Sequence, residues 1–398
     1  MAAALRAGIA AALLIFIVPA AHAAFVADSV IDYSGTQGLA GWQYGQWDTS
    51  STPFFAPMNA YDTTFHFGAD VDYRWYYSGF PADVTWWNTG GHTSTTNTFS
   101  AVRRFTVPQT GTISISGSYS KLSSTGGDGV VFDVRRNGVS LGAPFPHTYN
   151  SLTSATFSLP NISATAGDVI DLAIQRNGTP NFDASNFQAL IRSSSVNVLA
   201  RSFQEFSGVQ GTDNWRFGRS DVAMGSYSYL TNFIQLPTYT PATEQFGFGD
   251  NKWTGPENSG LYEEGGHPQN NTLSVIRRWT SEVAGTITIE GILADLDGGG
   301  GNGIIGSILH NGVSIYSQAV ANNNLGGFAY SVTRNVAIGD QLDFVIDPNG
   351  EQAFDSTRFT AIIYQEAIVP EPSSLALAAL GLIGLTVAAF RRHSSERR

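Results

Sequence analysis

Apolar and polar residues alternate strictly at several places, as in Thr112-Ile113-Ser114-Ile115-Ser116 and Thr286-Ile287-Thr288-Ile289-Glu290. A period of two sends successive side chains to opposite faces, so each run predicts a strand with one buried and one wet face. Ile170, Leu172 and Ile174 share a face in the same way, matched by Leu342, Phe344 and Ile346, which turns Asp171 and Asp343 to the other side. Asn137-Gly138 and Asn311-Gly312 lie between β-rich runs, and Asn-Gly suits the positive φ angles of a type I′ hairpin. Such runs give about eight short strands per unit, the pattern of an all-β sandwich or jelly roll. No helical periodicity stands out before the C-terminal tail.

The pattern occurs twice. Tyr33-Ser34-Gly35-Thr36-Gln37-Gly38 followed by Trp42-Gln43-Tyr44-Gly45 returns as Phe206-Ser207-Gly208-Val209-Gln210-Gly211 followed by Trp215-Arg216-Phe217-Gly218. Gly90-Gly91-His92 returns as Gly265-Gly266-His267, Arg103-Arg104-Phe105 as Arg277-Arg278-Trp279, and Phe182-Asp183 as Phe354-Asp355. The near-constant spacing predicts two tandem jelly-roll-like β-sandwich domains, at residues 24–198 and 199–368.

Composition agrees with strands and tight turns: 13% of residues are charged, 12% aromatic, and there are 43 glycines. Leaving out the two ends, 16 basic residues face 30 acidic ones, a net charge of −14, and Lys121 and Lys252 are the only lysines. A nucleic-acid partner needs clustered cations, so that class is excluded and neutral ligands or cations are expected instead. No cysteine is present. Burial rather than disulfides must then hold each unit, and thiol catalysis and Cys-ligated zinc are ruled out.

The first 23 residues read as a signal peptide: Arg6, an apolar run from Ile9 to Val18, Pro19, and Ala21-His22-Ala23 as a cleavage site. The far end, residues 369–398, reads Val369-Pro370-Glu371-Pro372, then an apolar segment from Leu375 to Phe390, then Arg391-Arg392. As a single transmembrane helix over 375–390 it would cover about 24 Å, with the arginines kept cytoplasmic. An uncleaved signal and an unprocessed anchor are the plainer alternatives.

These last thirty residues resemble the PEP-CTERM sorting signal. The resemblance implies handling by an exosortase, a membrane-embedded enzyme, with Pro370, Glu371 and Pro372 as the sorting motif and membrane contact through the C-terminal helix. It further implies a protein that is inner-membrane anchored before processing and then displayed at the cell surface or in the extracellular matrix. Proteins with this tag are often linked to exopolysaccharide and biofilm matrix.

Candidate chemistry is sparser. Aromatic rings with a polar rim suit a sugar ring, and Tyr76, Trp86, Trp87 and Trp253 are the candidate platforms, with His92 and His267 beside Gly-Gly pairs. Tyr76, Trp86 and Trp87 are expected outside, because adjacent aromatics cannot all face inward. Trp42 and Trp215 are expected in the cores. For the histidines a ligand contact and a loop-fixing hydrogen bond are both open. No cofactor is required; Asp183 and Asp355 could hold calcium in their loops, or cap those loops themselves. Asp295-Leu296-Asp297 before a glycine run looks like a calcium-repeat fragment, without a counterpart in the first unit. Glu263-Glu264 is expected to be a loop pair, and no nucleophile motif occurs. The expectation is an exported, non-catalytic surface or matrix protein that binds carbohydrate or exopolysaccharide. A polysaccharide-cleaving enzyme on the same scaffold and a structural adhesin or ice-contacting surface are the alternatives.

Overall fold

The computed structural model describes residues 24–366, apart from 49–54, 63–65, 68–69, 72, 79–83, 95–97, 123–125, 148–151, 180, 242–250, 257–258, 269 and 298. The signal peptide, the sorting residues Pro370, Glu371 and Pro372, and the helix expected over 375–390 lie outside the described residues. Among the described residues no helix is long and apolar enough to cross a membrane.

The described chain is all-β, with only short 3-10 turns between strands. Strands between residues 26 and 193 form an eight-stranded and a seven-stranded sheet, with a two-stranded ribbon at 66–71; strands between 196 and 366 form a nine-stranded and a six-stranded sheet. In the N-terminal half, Phe99–Thr106 runs between Trp42–Asp48 and Val169–Arg176 and shares a core with Gly111–Lys121 and Ser185–Ser193 of the other sheet. In the C-terminal half, Val275–Thr280 runs between Trp215–Ser220 and Gln341–Asp347, and shares its core with Gly285–Asp295, Thr357–Phe359 and Ile362–Glu366.

The alternating runs do what their period dictates. Ile113, Ile115, Ile287 and Ile289 are buried, as are the faces of Ile170, Leu172, Ile174 and of Leu342, Phe344, Ile346. Asn137 and Gly138 have φ of 50° and 81°, Asn311 and Gly312 of 49° and 82°, both positive as a type I′ turn requires. Asp171 and Asp343 do point away from the core, yet they are buried. Each is covered by the cross-strand arginine: Arg104 holds Asp171 through two bonds of 2.6 and 2.8 Å, and Arg278 holds Asp343 at the same distances. Phe55 and Phe233 roof the two guanidinium groups at 4.1 Å.

The halves are packed together, not strung apart. Asp28 and Arg201, at equivalent positions, form an ion pair across the junction, over a shared cluster that includes Ile31, Val196, Ile362 and Tyr364. Arg358 is fully buried, pairs with Glu264, donates to the Tyr33 carbonyl at 2.8 Å and lies 5.0 Å over the Tyr33 ring. Leu296 enters the N-terminal core, and its carbonyl accepts the Tyr73 hydroxyl.

Candidate functional site

Most of the aromatic residues belong to the cores. Trp75 stacks on Tyr44 (5.7 Å, 9°), meets Tyr61 at 5.2 Å and donates its indole N–H to the Ser34 carbonyl at 2.8 Å. Trp253 repeats this against Phe217 (6.0 Å, 15°), Tyr239 (5.4 Å) and the Ser207 carbonyl (2.8 Å). Trp253 is therefore buried core rather than a ligand platform.

Trp86 and Trp87, expected outside, are buried too. They do face opposite ways, but both sides are covered: Trp86 lies in the sandwich under the Arg103 guanidinium at 4.7 Å, and Trp87 is roofed by Leu122 and Ala184. Tyr76 is partly exposed beneath Arg74, at 5.4 Å. His92 and His267 direct ring Nδ1 to the carbonyls of Thr93 and Pro268, the latter at 2.9 Å, so each fixes its own loop. Glu264 is committed to Arg358 in the interior, which removes Glu263-Glu264 as a solvent-facing carboxylate pair.

A different pair of residues stands out. Phe182 and Phe354 occupy equivalent places one residue before Asp183 and Asp355, and each is 51% exposed. Their φ angles are 64° and 62°, a left-handed conformation that bulky side chains avoid at a cost of about 1–3 kcal/mol, and which gathers at ligand-contacting sites. Each ring rests on a glycine loop: a Cβ at Gly126 would collide with the Phe182 ring, and one at Gly299 with the Phe354 ring. The glycines thus form a bed that leaves part of each ring to solvent.

The residue after each phenylalanine is a buried aspartate. Asp183 accepts the Thr93 hydroxyl at 3.0 Å on one oxygen, while the other has no hydrogen-bond partner among the described residues. Burial pushes its pKa up to about 7, against the pull of Thr93 and Lys121. Asp355 has no hydrogen-bond partner on either oxygen among the described residues, and burial, with repulsion from Asp295, Asp297, Glu351 and Asp347, pushes it up to about 8. Ser185 and Thr357 donate to the main-chain carbonyls of these two aspartates at 2.9 and 2.8 Å. Among the described residues no three His, Cys, Asp or Glu side chains form a ready metal cage.

The sequence displayed the Phe-Asp repeat, but drew attention to its carboxylates rather than its rings. The usable signal was an aromatic residue in a loop, duplicated, within reach of a glycine run.

No curated protein matches this sequence. Among solved structures, it is similar to the tandem CBM51 modules of the family 98 glycoside hydrolase from Streptococcus pneumoniae SP3-BS71, at 12% identity over 69% of this chain and 85% of that one, with a TM-score of 0.24. It is also similar to the CBM22 tandem domain of Paenibacillus barcinonensis Xyn10C, at 12% identity over 87% and 99%, with a TM-score of 0.22. A Paenibacillus xanthan lyase matches at 14% identity over 81% of this chain and 26% of that one, with a TM-score of 0.21. TM-scores of this size do not establish a common fold. The tail is matched directly: residues 369–392 are a PEP-CTERM protein-sorting motif.

Proposed function

We propose that this chain is an exported, non-catalytic surface or matrix protein whose two jelly-roll-like β-sandwich halves, spanning about residues 24–198 and 199–368, bind a neutral polysaccharide through the loops carrying Phe182 and Phe354. The motif at 369–392 supports handling by an exosortase-type enzyme at the membrane, with Pro370, Glu371 and Pro372 as the residues recognised. Display at the surface or in the matrix follows from that handling.

The observation that carries the binding reading is the matched pair of half-exposed phenylalanines, held in strained backbone over glycine beds. A sugar ring can lay its C–H face on each phenyl ring and offer its hydroxyls to the polar loop groups around it. Two linked weak sites on one polymer gain avidity that neither has alone. The acidic, lysine-poor body argues for a neutral chain over an anionic one.

Affinity electrophoresis of the full chain through gels containing different soluble polysaccharides tests this. At least one glycan should retard the protein, Phe182→Ala and Phe354→Ala should each weaken retardation about tenfold, and the double variant should run unretarded. Unchanged retardation in the double variant overturns the assignment of these loops. Release of soluble sugars would instead favour the cleaving enzyme.

A further inference from the structure

Strand direction gives the molecule two different ends. Gly111–Lys121 starts with Gly111 opposite Ala164 and finishes with Lys121 opposite Ser185; Gly285–Asp295 starts with Gly285 opposite Val336 and finishes with Asp295 opposite Thr357. Phe182 and Phe354, three residues before Ser185 and Thr357, therefore both lie at the finishing end. The halves stand the same way up. At the starting end, Ser193 and Val196 are joined by only two residues. Toward the finishing end, Leu296 meets the hydroxyl of Tyr73, two residues before Trp75, whose ladder runs through Trp86 and Gly91 to Ser185.

The last strand, Ile362–Glu366, runs back to the starting end, with Ile362 opposite Glu290 and Tyr364 opposite Thr288. Glu366 thus sits at the end opposite Phe182 and Phe354. Only residues 367–374 separate it from the apolar run Leu375–Phe390, a stretch of about 29 Å at full extension.

That same end presents apolar side chains on its turns. Val139 and Val313 follow the two Asn-Gly turns and are 70% and 63% exposed; Ile338, in the turn between Phe328–Val336 and Gln341–Asp347, is 73% exposed. Arg136 opposite Ile170 and His310 opposite Leu342 place both hairpin tips beside the turns at 165–168 and 337–340. The aspartates of those turns are engaged inward. Asp168 accepts the Asn137 side-chain amide at 2.8 Å and the Thr165 N–H at 2.9 Å, and Asp340 accepts those of Asn311 at 2.8 Å and Ala337 at 2.7 Å and pairs with His310. One exposed apolar side chain is ordinary on any surface, but three on turns at the end that carries Glu366 are placed where lipid would meet them.

We propose that, while the tail is in place, this end of the molecule rests on a phospholipid surface, a docking that rests on the proposed membrane handling of the tail. Val139, Val313 and Ile338 reach the headgroup boundary, and the loops of Phe182 and Phe354 are held away from it, open to polysaccharide. Each contact is weak, and tethering through the tail makes such contacts cumulative. Glu282 and Glu366 are exposed at this end, so zwitterionic lipid suits it better than anionic lipid.

The chain has no cysteine, so a fluorophore can be placed at one chosen position. The full chain with Val139→Cys, Val313→Cys or Ile338→Cys, each carrying a nitrobenzoxadiazole label, is reconstituted into phosphatidylcholine vesicles, with Glu351→Cys, exposed near Asp355, as the reference. Lipid spin-labelled at the headgroup boundary should quench the three labels at least about twofold more than the reference, and their emission should shift to the blue. Flotation of the same samples separates the two readings. Full chain that floats with the vesicles but is quenched alike at all four positions, or most at Glu351→Cys, overturns the docking and leaves the membrane handling of the tail standing. Full chain that does not float overturns both.

Discussion

Arg103 and Arg277 set the energetic scale of a single side chain in this protein. Both are buried, and among the described residues no carboxylate pairs with either guanidinium. Arg103 donates to the carbonyls of Ser29, Trp87 and Asn88 at 2.5, 2.5 and 2.9 Å, and Arg277 to those of Ser202, Tyr262 and Glu263 at 3.2, 2.5 and 3.1 Å. Each arginine thus ties the segment before its sandwich to an internal loop. Arg103→Met would leave three buried carbonyls unmatched and should cost about 2–5 kcal/mol in urea unfolding. Alternation places Arg103 inward, against the apolar pattern. The duplication made it visible in sequence, but its role needed the loops it reaches.

Asp183 gives the residue scale a pH readout. Its proton stays until about pH 7 in the folded state, whereas an unfolded aspartate releases it near about pH 3.9. Between those values the folded state holds more protons, so this stability is present at the acidic end and is lost as the pH rises to about 7. Lys121 and Arg176 oppose the shift, while Asp128 reinforces it. Melting temperatures from pH 4 to 8 should fall less for Asp183→Asn than for the native chain.

At the scale of elements, the long strands were readable and the short ones were not. Gly111–Lys121, Val169–Arg176 and their counterparts alternate for long enough that one face must be core. Between residues 56 and 92 the strands are two or three residues long, too short to show a period. With no period to read, Trp86 and Trp87 are expected outside only because adjacent aromatics cannot all face inward, and Trp253, on the equally short strand Lys252–Thr254, is expected as a platform; all three are packing residues. The Trp75–Trp253 correspondence was also hidden, because the spacing between the halves shifts from 173 residues at Ser34 and Ser207 to 178 there. The glycine bed yields its own test. Gly299→Ala should push the Phe354 ring aside and lower polysaccharide retention about as much as Phe354→Ala, with little change in melting temperature.

At the scale of the molecule, the two halves share side chains across their junction. Composition suggested self-sufficient units, but Leu296 completes the N-terminal core and Arg358 connects Glu264 to Tyr33 across the junction. A repeat in sequence reveals each copy's internal pattern and carries no trace of how the copies meet. Calorimetry should therefore record a single transition, and Arg358→Met, which strands Glu264 in the interior, should lower it as a whole instead of splitting it.

The final strand, Ile362–Glu366, is anchored on both edges, to Gly285–Asp295 and to Val196–Arg201. Pro370 follows only four residues after Glu366, a tether whose full contour is about 14 Å. On the proposed handling of the tail, an enzyme acting at Pro370 would have to reach within about 14 Å of the end of Ile362–Glu366. Lengthening the tether with a Gly-Ser spacer after Glu366 should speed removal of the tail in a pulse-chase experiment.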